Sequence, residues 1–255
     1  MHVGCCAYSY RQYLTKGEMT LEQFLDLGVE MDLDGVELTS YYFPDTETST
    51  LYDVKRMALR RGLEVSGAAV GNNFCQADPA KRAEQVQMVK DWVRHSVKLG
   101  APLLRVFAGG VPDGSTDDQA REWTIASLQE CAEVAAEEGV MLALENHGGI
   151  TATVEQVEGL IAGADSDWVA VNLDTGNYRT DPYGSITRTV PLAITAHVKT
   201  EVPGPNGKED VDIESVINAL NAGGYRGYLS IEYEAAEDPM SAVPRFVETL
   251  QSLVR

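Results

Sequence analysis

Apolar and polar positions alternate along the chain in a way that divides it into repeated pairs of a short strand and a longer helix. Strands are predicted at residues 3–7, 35–39, 64–70 and 103–108, in the first half of the stretch 141–149, and at 169–173, 194–198 and 228–231. Helices are predicted at about 20–31, 49–61 and 79–99, then from just after 115–118 to 138, and at about 154–162, 182–189, 213–222 and 239–253. Thr20, with Glu22 and Gln23 in the first turn, reads as a helix start. Gly62, Gly100, Gly139 and the pair Gly223–Gly224 read as helix stops before the next strand.

This punctuation favours a parallel sheet with short connections. No linker or low-complexity run interrupts it, so residues 1–255 are expected to form a single domain. An open doubly wound sheet is the competing architecture. Eight units, with polar groups at so many strand ends, favour closure into an α/β single-domain (β/α)8 TIM barrel, a fold of about 250 residues.

Closure makes a testable statement about parity. Outward strand residues meet helices, and inward ones fill the axis or face the mouth. The parity that turns Glu145, Asp174, His197 and Glu232 inward also turns Leu144, Val171, Leu173, Ile194, Val198, Leu229 and Ile231 outward. The four polar residues stand 29, 23 and 35 positions apart, one strand–helix unit each. Three crowded carboxylates repel unless a cation neutralises them, so the four are candidate ligands of one divalent metal ion.

The same parity sends Glu37 and Arg105 inward, either as substrate contacts or as a buried ion pair, and Lys199 inward just past His197. His147, Asn72, Asn73 and Tyr8 are further candidates for substrate contact; the plain alternatives are loop capping, turn formation and barrel filling. His2 and His95 are expected at the barrel base and on a helix surface, and Trp92, Trp123 and Trp168 in packing. Residues 203–210 and 41–50 are expected as mouth loops or simple connections.

Net charge is −19. Such a surface repels nucleic acid phosphates and anionic lipid, so neither nucleic acid nor membrane is an expected partner. The apolar fraction of 44% suffices for a sizeable core, yet no run reaches the length of a membrane span. Cys5, Cys6, Cys75 and Cys131 follow no metal or disulfide spacing and are expected as free thiols. Residues 2–8 enter a strand with no basic segment before them, so a cytoplasmic location is expected.

Six ordered landmarks complete the picture: Gly35-Val-Glu-Leu38, Leu104-Arg-Val-Phe-Ala-Gly109, Leu144-Glu-Asn146, Asn172-Leu-Asp-Thr-Gly-Asn177, Ala196-His-Val-Lys199 and Ile231-Glu232. Over nearly the whole chain they resemble the xylose isomerase-like barrel superfamily of sugar phosphate isomerases and epimerases. The resemblance implies that Glu145, Asp174, His197 and Glu232 bind one divalent metal. Many sugar epimerases of that group carry a His three residues after the strand-six Asp; here the position is Asn177, a candidate substrate contact that cannot act as an imidazole acid.

Three oxygen donors and one imidazole suit Mn²⁺, with Mg²⁺, Co²⁺ or Zn²⁺ as alternatives. The expected activity is that of a divalent-metal-dependent sugar or keto-sugar isomerase or epimerase. A carboxylate removes the proton beside a carbonyl, and the metal stabilises the resulting enediolate. Glu145 and Glu232 are the candidate bases, with Lys199 assisting. Expulsion of a β leaving group would make the same site a lyase or dehydratase of a keto-sugar, keto-glycoside or keto-cyclitol. Abasic-site endonucleases share the barrel but use a richer metal set, and this chain has only four His. A sugar-binding barrel without catalysis is a further alternative. The expected partner is a small, unphosphorylated carbohydrate, with a homo-oligomer open.

Overall fold

Three of the longer helices begin on one device. Thr20, Thr116 and Thr153 each accept a hydrogen bond from the backbone N–H three residues on, and Gln23, Gln119 and Gln156 each accept one from the threonine's own N–H. Two helices end on left-handed glycines, Gly100 and Gly139. These boundaries set where each strand starts.

The computed structural model describes residues 1–205 and 207–254. Its strands are β1 His2–Cys6, β2 Gly35–Thr39, β3 Glu64–Ala69, β4 Leu103–Val106, β5 Met141–Glu145, β6 Val169–Asp174, β7 Ala193–Val198, β8 Glu201–Gly204, β9 Gly207–Asp210 and β10 Tyr228–Ile231. The helices are α1 Arg11–Leu14, α2 Leu21–Glu30, α3 Thr48–Arg60, α4 Pro79–Leu99, α5 Asp117–Glu138, α6 Val154–Ala164, α7 Pro182–Thr189, α8 Ile213–Ala222 and α9 Pro239–Val254. Eight strands close in the order β1-β10-β7-β6-β5-β4-β3-β2. Every pairing around the barrel is parallel. The expected TIM barrel is therefore the observed fold.

Parity holds where it was expected to matter. Leu144, Val171, Leu173, Val198, Leu229 and Ile231 are buried under the helices. Ile194, at the start of β7, is the exception and stays 39% exposed. Tyr228 lies across the barrel beside β1 and β2. A methyl group on Gly35 would approach its hydroxyl oxygen to 2.9 Å, and that hydroxyl donates to Glu64 at 2.7 Å. Small residues on two strands thus make room for one ring.

Two elements depart from the expected order. After Cys6 the chain turns into a short 3-10 segment, Ala7–Tyr10, and then α1. Between β7 and α8, where a loop was expected at 203–210, β8 and β9 pair as an antiparallel hairpin. Asn206, within the expected 203–210 loop, and Arg255 lie outside the described residues. Among the described residues, no helix is long and apolar enough to cross a membrane.

Candidate metal centre and active site

The four inward donors come from the C-terminal ends of four strands, the end at which such barrels place their chemistry. Glu145 ends β5, Asp174 ends β6, His197 lies one residue from the end of β7, and Glu232 follows β10. Pairing of Asp174 with His197 across β6 and β7 sets two donors side by side. One ligand atom from each of the four lies within 4.8 Å of the others, and all four side chains are buried.

Neighbouring polar groups hold these donors in place. Asn146 accepts from the Asp174 N–H at 2.7 Å and donates to its carbonyl at 2.9 Å, locking β5 to β6. Asn172 donates to Glu145 at 3.1 Å, and Asn177 donates to its other oxygen at 3.4 Å. Thr175 accepts the Lys199 N–H at 3.0 Å. Asn172 carried the inward parity but was not singled out from the sequence.

His197 has two distinct edges. Its Nε2 lies 2.9 and 3.0 Å from the Glu37 oxygens, while Nδ1 faces Glu145 at 3.5 Å and Glu232 at 3.4 Å. Glu37 therefore orients the imidazole from behind, as carboxylates commonly do for metal-binding histidines. The Glu37–Arg105 pair considered from the sequence does not form. Arg105 instead approaches Glu145 at 3.2 Å, donates to the Val70 carbonyl, and lies 3.9 Å over the Phe107 ring.

The donor set fits a divalent cation. His197 Nδ1 is a buried ring nitrogen with no hydrogen bond among the described residues, and it faces the carboxylates of the cluster. Such atoms are rare in folded proteins and call for an explanation. Three oxygen donors and one imidazole nitrogen supply it.

Electrostatics split the carboxylates. Burial pushes Glu145 up, only partly offset by Arg105 and His197. Burial pushes Asp174 up to about 7 against the pull of Lys199. Burial also opposes charge on Glu232, but His197 and Lys199 outweigh it and hold this carboxyl well below the usual range. Lys199 reaches Asp174 at 3.2 Å and contacts Glu232 and Glu234. Burial disfavours the charged forms of His197 and Lys199, yet the surrounding carboxylates raise both well above their ordinary values.

A pH dependence follows. Below about 7 Asp174 carries a proton that an entering cation must displace. Manganese affinity, measured by calorimetry, is expected to rise at least tenfold from about pH 6 to about pH 8, with proton release on binding. Affinity that stays level over this range would contradict it.

The remaining candidates divide. His147 stands exposed at the rim, its ring 4.4 Å from Phe107. Partial desolvation, then the Arg105 charge, lower its pKa. Tyr8 is half-buried beyond the end of β1, with the Arg11 guanidinium 5.0 Å over its ring. Asn72 does not extend into the mouth: its amide donates to the Phe107 carbonyl and accepts the Phe107 N–H, tying the loop after β3 to the loop after β4. Asn73 accepts from the Cys75 N–H and shapes the same turn. Glu234 lies two residues past Glu232, and nothing in its local pattern marks it as the partner of Lys199.

A closed parallel barrel with this donor set at its mouth defines a class. The family model described as xylose isomerase-like TIM barrel matches residues 25–253, and the chain belongs to that family. Solved structures agree on the fold. The apo form of 3-keto-D-glucoside 4-epimerase YcjR from E. coli superposes with a TM-score of 0.81 at 18% identity, covering 99% of each chain. L-ribulose 3-epimerase gives a TM-score of 0.81 at 20% identity, over 99% of this chain and 93% of that one. D-psicose 3-epimerase with D-tagatose, from Clostridium cellulolyticum H10, gives 0.78 at 20% identity, over 97% and 89%. No curated protein sequence matches the chain.

Proposed function

We propose that the protein is a divalent-metal-dependent keto-sugar epimerase. The observation that carries this reading is the buried four-donor cluster, in which two carboxylates, Glu145 and Glu232, flank His197 Nδ1 at 3.5 and 3.4 Å; their surroundings shift Glu145 up and Glu232 down. Paired groups whose environments drive their pKa values apart are suited to divide acid and base work. The structural neighbours named above as epimerases of ketoses and of a 3-keto-glucoside supply the substrate class.

Glu145, Asp174, His197 and Glu232 would hold the ion, Mn²⁺ by preference, which when bound polarises a substrate carbonyl as a Lewis acid. Glu232, kept ionised by His197 and Lys199, removes the proton from the carbon beside that carbonyl. Glu145, on the other side of the cluster, returns a proton to the opposite face. In the reverse direction the two exchange roles. Lys199 balances negative charge among Asp174, Glu232 and Glu234 and donates a hydrogen bond to a substrate oxygen. Arg105 fixes the Glu145 carboxylate. His147, Asn177 and Tyr8 contact substrate hydroxyls at the mouth. The four free thiols are all buried and suit a reducing cytoplasm.

Metal-loaded protein incubated with free ketoses and 3-keto-glycosides, with products separated by chromatography, tests the proposal. One epimer of a panel member is expected to form at unchanged mass. Loss of water or an aglycone would instead assign the elimination reaction. Bound substrate without turnover would contradict both.

A further inference from the structure

His197 presents a second donor group on the edge away from the four-donor cluster, and the reaction proposed above makes no use of its sulfur. Cys6, Glu37 and His197 are all buried, and one ligand atom from each lies within 4.8 Å of the others. Strand register creates the group: Cys6 pairs with Glu37 across β1 and β2, on the inward face of both. Cys6 Sγ lies 3.6 Å from Thr39 Oγ1 and 3.9 Å from Glu232 Oε1, so the thiol faces the site rather than the outer core. The four-donor cluster offers oxygen and nitrogen only. This one offers sulfur, nitrogen and oxygen, a set that suits softer, thiophilic ions.

We propose that Cys6, Glu37 and His197 form a second cation site, selective for thiophilic ions such as Cd²⁺ and Zn²⁺, whose occupation excludes an ion from the four-donor cluster. The exclusion follows from the ring's proton. An ion at the second site takes Nε2 and the Cys6 thiolate as ligands, and releases to solvent both the proton that Nε2 directs at Glu37 and the thiol proton. The one proton left on a neutral ring then sits on Nδ1, the nitrogen that the four-donor cluster needs bare. Conversely, an ion at Nδ1 keeps the proton on Nε2, directed at Glu37. A single imidazole thus arbitrates between hard and soft ions. The inference rests on this geometry and not on the reaction assigned to the barrel.

Cadmium is the probe, because a thiolate–cadmium bond gives an ultraviolet charge-transfer band without any turnover. Metal-stripped protein titrated with Cd²⁺ is expected to develop the band with one equivalent. Asp174→Asn, which alters the four-donor cluster alone, is expected to keep it. Cys6→Ser and Cys6→Ala are expected to lose it while retaining manganese binding. Excess Mn²⁺ is expected to bleach the wild-type band. Cadmium that binds by calorimetry without a band overturns the site, and this needs no variant. A band that survives in Cys6→Ala overturns it too, since Cys5, Cys75 or Cys131 would then carry it. A band untouched by excess Mn²⁺ overturns the exclusion.

Discussion

Replacing Glu145 or Glu232 with Gln is expected to lower epimerisation by about 10²- to 10⁴-fold, the usual contribution of a positioned acid or base. Gln keeps the shape of the side chain and removes its ability to exchange a proton. The two variants should fail differently. Each retains one carboxylate, and that carboxylate faces only one side of the substrate carbon. Solvent exchange at that carbon is therefore expected with one epimer and not the other, with the preference reversed between the variants. Both residues are also candidate ligands, so each variant is compared at saturating manganese with metal content measured. A variant that holds metal and still exchanges both epimers at the wild-type rate would refute the two-carboxylate assignment.

Asp174→Asn is expected to separate metal binding from folding. Asp174 is buried, and its carboxyl is pushed up to about 7 by that burial. An amide in its place carries no charge to desolvate, and Lys199 keeps Glu232 and Glu234 as partners. The metal-free variant is thus expected to melt no lower than metal-free wild type. Manganese at about 100 times its dissociation constant stabilises the wild type by about 2.7 kcal/mol. In a domain of this size that raises Tm by several degrees. The variant should lose most of this increment at the same manganese concentration. A manganese-dependent rise equal to that of wild type would remove Asp174 from the donor set.

Much of this site was legible before any coordinates, for a simple reason. A strand's side chains alternate with a period of two, so a buried Leu or Val on one face fixes the direction of the acid beside it. Glu145, Asp174, His197 and Glu232 could be read that way because each sits at or just past the end of a strand whose outward face is apolar. Partners across the barrel could not. Glu37 on β2 meets His197 on β7, and these strands are not neighbours in the barrel. The inward parity of Glu37 and Arg105 suggested that they pair, whereas curvature of the barrel gives each a different partner.

Parity also fails once a strand ends. Tyr8 shares the parity of Cys6, but the backbone turns into a 3-10 segment between them. Asn72 is an ordinary turn residue in sequence, and only the approach of the β4 loop shows that its amide clips two loops together. The hairpin Glu201–Gly204 and Gly207–Asp210 is polar, with Pro and Gly inside it, so it lacks the alternation that betrays a buried strand. Cys6 could have been found by the same parity as Glu37. A lone cysteine carries no local signal until register places it beside a carboxylate.

The measurement that bears most directly on the proposed function is proton NMR of the manganese-loaded protein, after metal removal for the spectrum, with a keto-sugar panel in D₂O. Deuterium is expected to enter one carbon beside the carbonyl, with formation of the epimer at that carbon and no other change in mass. An epimer formed with its carbon-bound proton untouched and no deuterium taken up would contradict proton transfer by Glu145 and Glu232.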